Sequence, residues 1–156
     1  MADYLFWFLI ALYALVAVKV DQWFTISRLG FKTETPILFL TNPKAYHWTR
    51  MLLFGAAIAA LLFASNLALY SGAVALVAVW LGAFWIGRKM AFSAYRRIHR
   101  EMIADEEDMK VLDPEEYERM FAGEDPVVHR AYLEKGARMT DRELIERIER
   151  VMKWGM

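Results

Sequence analysis

The chain has 156 residues, 58% of them hydrophobic, with six Trp and 19 basic against 19 acidic side chains. It has no Cys, which excludes disulfides, thiolate metal sites and thiol catalysis. The zero net charge conceals a split: seven Lys/Arg against three Asp/Glu up to Lys89, then twelve against sixteen beyond it. An acidic second half lacks the basic stripe that a nucleic-acid surface needs to release counterions, so no nucleic-acid partner is expected.

The first element is an apolar run over residues 4–20, interrupted by Lys19 and extended by Trp23 and Phe24. A helix needs about 20 apolar residues to cross the hydrocarbon core, and residues 4–24 supply them. Only Asp3 precedes the run, so it lacks a signal peptide's positive n-region and reads as a retained span. Gly30 is the expected residue just past the helix end. The connection that follows holds a short apolar stretch at residues 37–40, too short to span and read as an interfacial turn.

Asn42-Pro43 predicts the next helix start, an N-cap before an N1 proline. Its first turns carry Lys44, Tyr46, His47, Trp48 and Arg50, an interfacial mixture. The pattern predicts a second span over 47–70, a tight turn at Ser71-Gly72 and a third span over 72–90, with Arg88 and Lys89 at its exit. The short N-terminal stub and the Ser71-Gly72 turn carry no Lys or Arg, whereas the first connection and the flank after the third span carry five each. The positive-inside rule then predicts a multi-pass protein of the plasma (inner) membrane, N-terminus outside and C-terminus cytoplasmic.

Between residues 51 and 86 there is no Asp, Glu, Lys, Arg or His. Transport paths usually carry charge at depth, so the spans read as packing elements without buried charge, and a single-chain transporter is not expected. No His lies at depth for a haem, and no cofactor or metal site is expected. Small residues recur instead: Ala56, Ala60 and Ala64 on the second span, and Ala75, Ala83 and Gly87 on the third, a helix–helix packing stripe within the hairpin.

Beyond the third span nothing breaks helix as far as Leu112. A stripe of Tyr95, Ile98, Met102, Met109 and Leu112 is expected to receive the helices that follow. Asp113-Pro114 and Asp125-Pro126 each predict an N-cap with N1 proline, and Gly123 and Gly136 are read as helix ends. Thr140 with Glu143 forms a capping box for an amphipathic last helix. Tyr117, Met120, Phe121, Val127, Val128, Tyr132 and Leu133 are the expected tail core. The apolar face of the last helix, Leu144, Ile145, Ile148, Val151 and Met152, is the expected partner-docking face; its polar face is mixed in charge, unlike that of a lipid-surface helix.

Arg88, Lys89, Arg96, Arg97 and Arg100 are the candidates for contact with anionic lipid headgroups. His99 with Glu101 and the acidic residues 105–108 reads as a solvated face, because a metal site needs three or four converging ligands. No phosphate loop, nucleophilic triad or HExxH pattern occurs, and no catalytic residue is assigned. The expectation is an all-α membrane protein: a transmembrane domain over 1–92 with three transmembrane helices, the third extending into a small cytoplasmic helical tail over 93–156. It is read as a non-enzymatic scaffold or accessory subunit whose tail docks a partner protein. A homo-oligomeric channel or pore and a lipid-modifying enzyme built on the Arg96–Arg100 patch with His99 are the alternatives.

Overall fold

The computed structural model describes residues 2–30, 43–61, 66–123 and 125–154. These form six helices and, among the described residues, no strand: α1 (Ala2–Arg28), α2 (Pro43–Leu61), α3 (Asn66–Leu112), α4 (Pro114–Met120), α5 (Pro126–Arg138) and α6 (Asp141–Trp154). The chain divides into two compact units, Met1–Ala91 and Phe92–Met156, with α3 contributing to both.

Among the described residues two helices are long and apolar enough to cross a bilayer, Tyr4–Arg28 and the segment Tyr70–Leu112 of α3. The expected turn at Ser71-Gly72 is corrected: α3 begins at Asn66 and runs through both residues. One serine and one glycine cost a helix about 1 kcal/mol, too little to interrupt a run of apolar helix formers. Residues 62–65 between α2 and α3, and residues 37–40, where an interfacial turn is expected, lie outside the described residues.

In the first unit, α1 presents Phe6, Ile10, Tyr13 and Ala17 at alternating intervals of four and three, one face of a helix. They pack with Leu76 and Ala83 of α3, bordered by Leu53, Phe54 and Ala57 of α2. A second cluster of Val20, Phe24 and Tyr46 continues the α1–α2 contact. The opposite faces are equally apolar: Leu5, Phe8, Leu12, Leu15, Leu52, Val74, Leu81 and Trp85 are all exposed. Helices that are apolar all round are cores or membrane spans, and here the apolar residues lie outside as well as inside.

In the second unit, the caps form as the sequence predicts. Asp113 accepts from the Glu116 N–H and Asp125 from the Val127 N–H, each before its proline. Gly123 takes positive φ past α4, as Gly30 does past α1 in the first unit. Gly136, expected as a terminator, is instead buried inside α5. The buried face of α3 here is Phe92, Tyr95 and His99, with Ile103 and Glu106 half-buried. Of the expected stripe, Met102 and Leu112 are exposed. Of the expected tail core, Leu133 is buried, whereas Met120, Val127, Val128 and Tyr132 remain exposed.

Candidate functional site

The polar centre of the first unit is Asp21, which falls on the same α1 face as Phe6, Ile10, Tyr13, Ala17 and Phe24 and is 1% exposed. The expectation of spans without buried charge is therefore corrected for α1. Tyr46, in the first turn of α2, stacks flat on Phe24, ring centroids 3.8 Å apart at 7°. That stack aims its hydroxyl at Asp21 Oδ1, to which it donates a hydrogen bond. One turn on, Arg50 places Nε 3.6 Å from the same oxygen. Its Nη1 donates to the Tyr46 hydroxyl at 3.4 Å and its Nη2 to the Trp80 carbonyl of α3 at 3.0 Å. The guanidinium also lies 5.3–5.6 Å from the Trp80 and Phe84 ring centroids, within cation–π range.

Three helices thus meet on one guanidinium. Gly87 brings them close: a Cβ there would lie 2.6 Å from the Val18 carbonyl oxygen and 2.7 Å from Asp21 Cβ. A cavity of about 10 Å³ lined by Tyr13, Ala17, Arg50, Leu53 and Trp80 borders the cluster. That is about the space of one water. Asp21 Oδ2 has no hydrogen-bond partner among the described residues. The cluster is a neutral ion pair closed by a tyrosine and a backbone carbonyl, a staple for the helices.

Sequence reading placed Arg50 among the flanking charges and Tyr46 in an interfacial first turn, and passed over Asp21. The signal that finds it is position: Asp21 continues the buried α1 stripe, and a carboxylate on such a face requires a cation or donors.

In the second unit, His99 is 2% exposed, which corrects its reading as solvated. Its Nδ1 lies 2.9 Å from the Tyr95 carbonyl, its ring is flanked by Tyr95 and Tyr132, and Gly136 lies directly against the imidazole. Arg147 of α6 lies over the Tyr95 ring at 5.8 Å and donates to the Tyr132 hydroxyl at 3.4 Å. Arg130 of α5 binds Glu107 at 2.5 Å and Glu134 at 3.3 Å, with Glu106 4.0 Å away. The Glu107 hydrogen bond raises the Arg130 pKa, against a smaller opposing effect of burial. Around it lies a groove of about 520 Å³ between α3, α4 and α5.

The remaining sequence candidates fall in several places. Among the headgroup candidates, Arg88 and Lys89 lie over the Phe84 and Trp85 rings. Arg96 is engaged by Asp141 at 2.8 Å and the Met139 carbonyl at 3.1 Å. Arg97 pairs with Glu101 on an exposed face, and Arg100 donates to the Arg96 carbonyl. In the packing stripe, Ala83 and Gly87 are buried and Ala75 borders the core, but Gly87 meets α1 rather than α2. Ala56 is exposed, Ala57 taking the place against the core; the side chains of Ala60 and Ala64 lie outside the described residues. On the docking face, Leu144 and Ile148 are buried, Ile145 is half-buried and Val151 is exposed; the Met152 side chain lies outside the described residues.

Among the described residues no three His, Asp or Glu converge to hold a metal. No family model matches the chain, and neither a curated protein nor a solved structure is found to resemble it.

Proposed function

We propose that the chain is a small membrane scaffold or accessory subunit whose C-terminal helical unit docks a partner protein at the cytoplasmic face. In this reading α1, the α2 segment and the first part of α3 cross the bilayer three times, with the N-terminus outside. The apolar outward faces of all three helices support insertion, because lipid is the solvent that tolerates them. The one-sided Lys/Arg flanks support the orientation. The Asp21–Arg50 staple gives the bundle rigidity without a transport path, since its charges neutralise one another within the bundle.

The observation that carries the docking role is the surface of the second unit. Val111, Leu112, Met120, Val127 and Val128 are exposed on three helices of a unit that already owns a core of Leu133, Met139, Leu144 and Ile148. The docking surface therefore moves from the α6 stripe to the α3 end, α4 and the start of α5. The enzymatic alternative draws no support from His99, which lies beneath Tyr95, Tyr132 and Gly136 instead of facing outward beside Arg96 and Arg100.

The test is cross-linking in native membranes followed by mass spectrometry, comparing the natural chain with Val127→Asp/Val128→Asp. A stoichiometric partner present with the first and absent with the second is the expected result. A cross-linking pattern that the substitutions leave unchanged, or a C-terminal reporter active only outside the membrane, would refute the reading.

A further inference from the structure

We infer that the groove between α3, α4 and α5 takes a basic, apolar-faced segment of a partner polypeptide, a helix with Lys/Arg on one side and large aliphatic residues on the other. The inference rests on the docking function and specifies the partner's chemistry.

Charge is the first argument. The groove is lined by three carboxylates, Glu106, Glu107 and Glu134, against two cations, Lys110 and Arg130, with Tyr117 and Val127 as its less polar walls. Arg130 is already committed to Glu107 and Glu134. Tyr117 donates to Glu106 Oε1 at 3.5 Å, while Glu106 Oε2 makes no hydrogen bond among the described residues and has Arg130 Nη1, 4.0 Å away, as its countercharge. One guanidinium shared by three carboxylates, with Glu106 beyond hydrogen-bond distance of it, leaves negative charge that an incoming ammonium or guanidinium can pair with. The surroundings have the same sign: residues 105–125 hold ten Asp/Glu against Lys110 and Arg119 alone.

Apolar area is the second. Val127, on the groove wall, is 75% exposed, and Val128 follows it; Leu112, two residues after Lys110 of the groove, is 82% exposed. Carboxylates beside uncovered aliphatic side chains complement a helix that is basic on one face and greasy on the other, the helix-in-groove mode. The same charge argues against the other occupants. An anionic bilayer surface repels a carboxylate-rich face. A second copy meeting this one through the same face would set like charges opposite one another.

The experiment uses the full chain in an uncharged detergent, with a fluorescent synthetic helix of Leu and Lys at i, i+3, i+4 spacing and its Leu/Glu counterpart as probes. Saturable binding of the Leu/Lys helix is expected, with none by the Leu/Glu helix. Glu106→Gln/Glu107→Gln should weaken it at least tenfold, and Val127→Ser/Val128→Ser about fivefold. Glu146→Gln/Glu149→Gln on exposed α6 should leave it unchanged, with circular dichroism the same for all variants. Equal weakening by the α6 pair means diffuse charge attraction and overturns the assignment, as does a self-association that displaces the probe. A partner cross-linked in membranes and insensitive to Glu106→Gln/Glu107→Gln overturns it while leaving the docking function standing. The absence of any cross-linked partner removes both.

Discussion

Gly87 of α3 lies against Asp21 of α1 so closely that a Cβ at position 87 would sit 2.7 Å from the aspartate's own Cβ, and 2.9 Å from the Gln22 backbone nitrogen. Two of the three nearest atoms belong to the α1 backbone, so no side chain can swing away to make room. Gly87→Ala is therefore expected to push α1 from α3 and cost about 1–3 kcal/mol, the usual penalty of overpacking. Gly82, one turn and a half earlier in the same helix, has open space where its Cβ would go. Gly82→Ala should be neutral or slightly stabilising, since alanine is the better helix former by about 1 kcal/mol. Thermal unfolding of both variants in detergent separates them, and equal midpoints would contradict the α1–α3 contact.

The Asp21–Arg50 pair makes a sharper prediction, because removing one partner leaves a charge stranded among apolar helices. Asp21→Ala alone is expected to cost about 3–5 kcal/mol, the penalty of an uncompensated buried charge. Asp21→Leu with Arg50→Met removes both charges and should recover most of that stability, because well-packed apolar replacements of a buried pair are often neutral. A double-mutant cycle measures the coupling directly. Additive single losses would show that the two side chains act independently and that the Nε–Oδ1 approach of 3.6 Å is incidental.

What the sequence disclosed was local. The proline-marked starts at Asp113 and Asp125, the Thr140–Glu143 box and the positive-φ Gly30 all rest on interactions within four residues, and each forms. What it hid was the pairing of distant faces. Asp21 and Arg50 are 29 positions apart, and each, taken alone, resembles a charge flanking a span. Gly136 resembles a helix end, yet it is where an imidazole on α3 meets the α5 backbone. The α3 stripe was misplaced because Tyr95 belongs to two periodic patterns, and only the seating of α5 and α6 selects the one through His99.

The His99–Gly136 contact is testable by the same logic of complementary volume. A Cβ at position 136 would overlap the His99 ring, with Cγ only 2.8 Å away. Gly136→Ala should loosen the second unit by about 1–3 kcal/mol. His99→Ala should also destabilise, by leaving a cavity. Combining them should cost less than the sum, since the new methyl occupies part of the vacated space. Protease resistance of the Phe92–Met156 unit reports each variant, and strict additivity would rule out the direct contact.

The last helix carries a pH dependence whose sign follows from its cap. The Thr140 backbone N–H donates to Glu143 Oε2 at 2.7 Å and the Thr140 hydroxyl lies equally close. These bonds, the backbone one foremost, hold the Glu143 carboxyl below its ordinary value of 4.5. A group whose pKa is lower folded than unfolded contributes stability that is complete above the unfolded value and lost as pH falls through the folded one. The natural chain and Glu143→Ala should therefore differ in the unfolding midpoint of the helical signal at pH 6. The gap should begin to narrow below about pH 4.5 and close once the folded carboxyl is protonated, because both chains then lack the ionised acceptor. A gap that stays constant from pH 6 to pH 3 would mean that Glu143 stabilises α6 through its methylene stem rather than through its charge.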